Sequence, residues 1–341
     1  MLLIYTSIIA KIDEMNTKPH KKLVSILVPC YNEEASLPHL WSELQKIMTD
    51  DYDWEVLFVN DGSNDCTLQI LEELYRKDKR VGVLDLSRNY GKEKAMLAGF
   101  DHVVGDCMVI IDADLQDPPC LIKEMLQKWE EGYDDVYAHR ISRGKESWIK
   151  RRFSLLFYRI LQRGSSLDIP ENVGDFRLLD RKCIEALKEL RESERYTKGL
   201  FCQIGFKKTG IDFNRDDRVA GTTKWNFKKL FFLAVDGIVS FSTFPLRIST
   251  FVGSVTALLA LILGVFYLVK TAFLGDPVGG FPTLIVVILF LGGVQLLSIG
   301  IIGEYMGRIF IEAKHRPVYH INSYRSHITD DGDESNQISM S

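Results

Sequence analysis

The sequence predicts an α/β domain with a mostly parallel sheet, followed by an interfacial amphipathic helix and a two-helix transmembrane hairpin. From Leu23 onward, short β-branched runs alternate with helical patterns, as in strands wound with helices. Phe227, Leu230, Phe231, Ala234, Val235 and Ile238 recur at helical spacing, with Lys228 and Lys229 on the opposite face, which suits a helix lying in a membrane interface. Two stretches, Ile248 to Val269 and Pro277 to Gly303, hold no charged residue. Each can cross about 30 Å of hydrocarbon, which takes roughly 20 apolar residues.

The opening residues 1–22 include an apolar Met1 to Ala10 that lacks a basic region and is too short to span, so they are read as an extension. Residues 23–225 form the catalytic unit. Its strands are VSILVP, WEVLFV, VGVLDL, CMVIID and DDVYAH, separated by helical segments such as Ser36 to Met48 and Leu68 to Lys77. In such sheets ligands bind beyond the carboxyl ends of the strands. The first, second, fourth and fifth runs lead there into PCYNEE, NDGSND, DADLQDPP and HRISRGK. Four polar or acidic tips on apolar strands favour a site over isolated caps and turns.

Beyond Arg140 come a basic, aromatic helix around Trp148 to Leu161, the segment ENVGDFRLLDR and the loop DDRVAGTTKW. Residues 226–246 are the interfacial helix, 247–303 the hairpin and 304–341 a tail, polar, Ser-rich and disordered from Asn322. Lys224, Lys228, Lys229 and Arg247 precede the first span, and Arg308, Lys314 and Arg316 follow the second. The connector from Lys270 to Gly280 carries one Lys and one Asp. The positive-inside rule therefore places the catalytic domain and both termini in the cytoplasm of a multi-pass inner-membrane protein.

A formal charge of -4 gives no reason to expect nucleic acid as a partner. The six cysteines form no Cys-x-x-Cys pair and are read as reduced packing residues. Asp112 and Asp114 end the strand CMVII, with Gln116 two residues on. Carboxylates so spaced can hold Mg²⁺ or Mn²⁺ with positions left for phosphate oxygens.

Pro29-Cys30-Tyr31-Asn32-Glu33, Asn60-Asp61-Gly62-Ser63-x-Asp65, Asp112-Ala113-Asp114-Leu115-Gln116-Asp117 and Arg218-x-x-Gly221-x-x-Lys224-Trp225 resemble the motifs of inverting family 2 glycosyltransferases of the GT-A fold. RNYGKE, ENVGDFRLLDR and FLGGVQLLSIGIIGEYMGRIF are similar to the bactoprenol glucosyltransferases among the polyprenyl-phosphate enzymes. The resemblance implies that Pro29, Tyr31, Glu33, Val59 and Asp61 line the base and ribose pocket, with Ala113 also in the nucleotide-sugar site. It implies that Asp112, Asp114 and Gln116 ligate the metal and that Arg218 and Lys224 hold donor phosphates from a lid. Asn60 departs from the family, where many members carry a second Asp.

The implied acceptor is undecaprenyl phosphate and the implied donor UDP-glucose, with dolichol-phosphate-mannose-type use of GDP-mannose the alternative. A lipid phosphate is already an anionic nucleophile, so no general base is required. Positive charge is, and Arg140, Arg143, Lys145, Lys150, Arg151 and Arg152 supply it. By resemblance Arg140 and Arg152 are the phosphate ligands. The product implies a downstream flippase and lumen-facing transferase as partners, and a homo-oligomer is also expected. A processive polysaccharide synthase would carry Gln-x-x-Arg-Trp and more spans, and a non-enzymatic scaffold would have a broken Asp-x-Asp.

Overall fold

The computed structural model describes residues 21–141, 173–193, 195–213, 244–274 and 281–328. Arg152, Arg218, Lys224, most of the extension, nearly all of the amphipathic segment, the connector 275–280 and the tail from residue 329 lie outside them.

Eight strands form one sheet in the order β7-β5-β6-β4-β1-β2-β3-β8. They are β1 (Leu23–Cys30), β2 (Asp53–Asn60), β3 (Val81–Leu86), β4 (Cys107–Ile110), β5 (Asp135–Arg140), β6 (Val173–Asp180), β7 (Lys208–Phe213) and β8 (Ile321–Arg325). β1 runs parallel to both β2 and β4, β2 to β3, and β5 to β7, while β6 and β8 run antiparallel to their neighbours. The first five strands follow the runs expected from sequence. Continuous apolar runs suit them because both faces of the sheet are covered.

The helices are α1 (Leu37–Ile47), α2 (Thr67–Lys77), α3 (Lys92–His102), α4 (Leu121–Glu130), α5 (Arg181–Glu189), α6 (Thr197–Gln203), α7 (Phe244–Leu274) and α8 (Phe281–Ala313). On one face Leu37, Leu40 and Leu44 of α1, Leu71 of α2 and Met125 and Trp129 of α4 pack on Val24, Ile26, Val56 and Phe58. On the other, Met96 and Phe100 of α3, Ile184 of α5 and Leu200 of α6 pack on Leu27, Leu57 and Leu84. The period of two along each strand sends alternate residues to the two cores. Gly99 lets α3 close onto β1, since a Cβ there would lie 2.2 Å from Leu27 Cδ1. The result is a GT-A-like α/β sandwich with a mostly parallel mixed sheet.

α7 and α8 pack against each other, and apolar residues such as Phe251, Leu261, Phe290 and Leu296 are exposed along them. By length and hydropathy, the window Phe290–Ala313 can cross a membrane, and Ile248–Leu263 is a shorter apolar stretch. α8 does not stop at Gly303, where its charge-free stretch ends, but continues to Ala313. Glu304 and Arg308 on that added length form an i,i+4 ion pair at 3.5 Å, which supports helix without apolar content.

The expectation of disorder from Asn322 needs correction. Ile321–Arg325 is β8, paired with Val83 to Leu86 of β3. Tyr319 donates its hydroxyl to Asp101 Oδ2 at 2.5 Å, where Arg191 also binds that carboxylate at 2.6 and 2.7 Å. Glu312, at the end of α8, accepts from the Ser193 amide at 2.7 Å. A largely polar segment is thus ordered by pairing with an open sheet edge, with Val318, Tyr319 and Tyr324 packed against the core. All six cysteines are free thiols; Cys30, Cys107 and Cys183 are buried as packing residues, whereas Cys66 and Cys120 are exposed.

Candidate active site

The sheet order puts β2 on one side of β1 and β4 on the other, so the chain reverses its winding direction there. A crevice opens at the carboxyl ends of strands at such a switch point. A cleft of about 330 Å³ lies there, lined by residues that include Pro29, Tyr31, Glu33, Asp61, Lys92 and Asp112.

The end of β1 supplies Pro29 and Cys30, and the loop after it Tyr31 and Glu33. Asn32 takes a left-handed φ of 56°, which turns the chain back, and its amide donates to Ser63 Oγ at 3.0 Å. Tyr31 keeps 44% of its surface exposed, a free aromatic face at the rim. From the loop after β2, Asp61 accepts the amides of Tyr90 and Gly91 at 2.7 and 2.8 Å. That pair ties the loops after β2 and β3 together. Gly62 sits between them at φ 64°, and a Cβ there would meet the Arg88 carbonyl carbon at 2.5 Å.

β4 leads into Asp112, Ala113 and Asp114, all lining the cleft. Lys92, the first residue of α3, reaches Asp112 at 2.6 Å and Asp175 Oδ2 of β6 at 2.6 Å. Burial would lower the Lys92 pKa, but the two carboxylates outweigh it and hold the ammonium above its ordinary range. Burial likewise pushes Asp175 up, but Lys92, Lys198 and Arg177 outweigh it and keep the carboxyl below the ordinary range. Glu33 shows the opposite balance. Burial raises its carboxyl most, Ser36 lowers it, and the negative charges of Asp114, Asp112 and Asp65 raise it further.

This donor set fits a hard dication. Asp112 and Asp114 face a cleft whose negative field already raises Glu33, and no group of three His, Cys, Asp or Glu among the described residues closes a full cage. Two carboxylates with positions left for diphosphate oxygens is the pattern that Mg²⁺ accepts. Gln116 is 5% exposed, does not line the cleft, and leaves Oε1 buried without a partner among the described residues.

A family model described as glycosyl transferase family 2 matches residues 25–188, and one described as GtrB C-terminal hairpin matches 244–309. An uncharacterized glycosyltransferase of Synechocystis sp. is 48% identical over 297 residues, 87% of this chain and 93% of that one. The chain belongs to glycosyl transferase family 2. A bactoprenol glucosyl transferase of Shigella phage SfV is 43% identical over 301 residues, 88% of this chain and 98% of that one. A prophage bactoprenol glucosyl transferase homolog of Escherichia coli K12 is 43% identical over 297 residues, 87% of this chain and 97% of that one.

In this glycosyl transferase, Pro29, Tyr31, Glu33, Asp61, Asp112, Ala113 and Asp114 meet in one cleft. Val59 does not line it; its side chain is fully buried in the core beneath α3. Arg140 stands apart, its guanidinium 3.2 Å from Asp117 Oδ1. Lys92, Asn89 and Gly91 line the cleft without having been singled out from sequence, and Asp175 was named only within a motif. The available signal was the RNYGKE tip after the third strand.

Proposed function

We propose that this chain moves glucose from UDP-glucose to undecaprenyl phosphate at the cytoplasmic membrane face, inverting the anomeric centre. The observation that carries the reading is that one chain joins an acidic cleft at a sheet switch point to an apolar helical pair. The relatives named bactoprenol glucosyl transferase, matched over nearly their whole length, support it.

Tyr31 offers its ring to the base, and Pro29, Glu33 and Asp61 bound the nucleoside. Asp112 and Asp114 would hold Mg²⁺ or Mn²⁺, with Gln116 entering only by a change in its buried side chain. When bound, the metal supplies Lewis-acid stabilisation of the departing diphosphate. Lys92 fixes the orientation of Asp112 and adds a positive charge close to the leaving group. Arg218 and Lys224 hold donor phosphates, and Arg140 and Arg152 hold the lipid phosphate. An ionised phosphate oxygen attacks the anomeric carbon, the bond to the nucleoside diphosphate breaks, and no proton has to be removed.

The reading has both helices span: β7 precedes them and β8 follows them in one sheet, which supports an even number of crossings between the two strands. Two crossings put α7 and α8 antiparallel in the bilayer, with the positive-inside rule assigning the sheet to the cytoplasm. The test is a radiolabelled screen of UDP-glucose, UDP-galactose and GDP-mannose on membranes supplied with undecaprenyl phosphate. Label from UDP-glucose is expected in the lipid phase; label from another donor would overturn the sugar, and none from any donor would overturn the reaction.

A further inference from the structure

A row of three side chains leads from the tail after the hairpin to Asn60, the residue next to Asp61 of the cleft. Asn60 and Asp85 are opposite each other in the β2/β3 register, and Asn60 Nδ2 donates to Asp85 Oδ1 at 2.7 Å. Asn322 Nδ2 of β8 donates to the other oxygen, Asp85 Oδ2, at 2.7 Å. Asn60 and Asp85 are 2% and 4% exposed, so this carboxylate meets little water and takes its hydrogen bonds from two amide side chains that the sheet holds in place.

The tail strand is shaped for this contact. Its register against β3 shifts between Asp85 and Leu86, so that Ser323 pairs with Asp85 and Ile321 with Leu86, and Asn322 is the additional residue between them. A bulge of this kind re-aims a side chain that regular pairing would direct elsewhere. At the other end of the row, Asn60 Oδ1 accepts from the Ser63 amide at 3.3 Å. The next residue, Asp61, anchors the amides of Tyr90 and Gly91. Both loops that border this side of the cleft therefore hang from Asn60 and Asp85. The amide at position 60 is what permits the row, because a carboxylate there would face the Asp85 carboxylate without a proton to share.

We infer that Asn322 is a positioning residue for the nucleotide cleft, acting through Asp85 and Asn60 to hold the loops after β2 and β3 in their binding conformation. The inference rests on the cleft being the nucleotide site proposed above. It makes docking of the strand that follows the membrane hairpin a condition for full donor affinity.

The test uses the full chain in detergent, with amide hydrogen exchange at Tyr90 and Gly91 in the absence of ligand and calorimetric affinity for UDP with Mg²⁺. Asn322→Ala is expected to speed exchange at both amides and to weaken UDP about tenfold, the scale of one hydrogen bond to a charged group. The exchanged pair Asp85→Asn with Asn322→Asp keeps a donor and an acceptor facing each other and is expected to recover most of both. Arg325→Ala removes only the surface pair with Glu72 at 3.1 Å and is expected to change neither. Unaltered exchange and affinity in Asn322→Ala, an unrecovered exchanged pair, or an equal loss in Arg325→Ala would each overturn the row. If the parent chain bound no UDP, the cleft reading would fall, and exchange alone would still decide the coupling.

Discussion

Lys92, which lines the cleft, and Asp175, 83 residues away in sequence, meet at 2.6 Å. The contact joins the start of α3 to β6, and Lys92 Nζ also holds Asp112. One cation thus bridges the acids of two strands where a diphosphate is proposed to bind.

Replacing Lys92 by Ala leaves those carboxylates facing each other and the donor. A charge-assisted contact is worth about 1.5–3 kcal/mol, and the lower end applies because 38% of the Lys92 side chain is exposed. UDP affinity and transfer should both fall at least roughly tenfold, with Lys92→Arg recovering part. Steady-state rates beside calorimetry measure this, and unchanged values in Lys92→Ala would contradict the assignment.

Chelation should abolish transfer and added Mg²⁺ or Mn²⁺ should restore it, as expected of a site built on Asp112 and Asp114. Asp114→Asn should lose transfer while keeping its circular dichroism spectrum. Full turnover in EDTA would remove the metal from the scheme.

Gly62→Ala sets a side chain at φ 64° against the Arg88 and Asn89 backbone, with approaches of 2.5 and 2.6 Å. Backbone cannot swing aside as a side chain can, so a cost on the order of 1–3 kcal/mol is expected. The loop should move away from Asp61, seen as a lower melting temperature together with weaker UDP binding. A variant with parental values in both would show that the two loops separate freely.

Glu55 lies fully buried, its Oε2 accepting from Ser25 Oγ and from the Val104 amide at 3.1 Å. Burial pushes its carboxyl above the ordinary range, against smaller lowering by Ser25, Val104 and Arg181. The folded state then binds a proton more tightly than the unfolded chain, so this group's stabilisation is complete below the unfolded pKa and is lost as pH rises through the folded one. Glu55→Gln mimics the protonated form at every pH. Melting temperatures from pH 4 to 7 should show the variant gaining on the parent as pH rises, and parallel curves would refute the raised carboxyl.

Topology is checked with Ser339→Cys in a background whose accessible thiols are removed (Cys66→Ser, Cys120→Ser and Cys202→Ser), using a membrane-impermeant thiol reagent. Labelling is expected in inverted vesicles and not in intact cells, because the strand ahead of it belongs to the sheet. Labelling in intact cells would contradict two crossings.

The first five strands were legible as short runs of β-branched, aliphatic and aromatic residues between polar tips, and the acidic tips pointed to Asp61, Asp112 and Asp114 directly. Lys92 was not. RNYGKE and ENVGDFRLLDR stand out as motifs, but nothing local in either shows that Lys92 meets Asp175, a contact that arises only through the antiparallel placement of β6. That strand carries Asp175 and Arg177 among apolar neighbours and ends in Asp180. Their charges are met by Lys92 and Asp135, which no local pattern reveals. β8 was hidden for a similar reason: INSYR has little apolar content and becomes a strand because β3 offers an unpaired edge.

The order of synthesis gives the β3–β8 pairing one more consequence. β8 is made after α7 and α8, so a nascent chain has β1 to β7 before the apolar helices emerge. Under the proposed two crossings, the edge of β3 stays open until the hairpin has turned back toward the side on which it began. A chain whose hairpin failed to insert would then leave that edge bare and Asp85 short of a partner, which would tie maturation of the cleft to delivery to the bilayer.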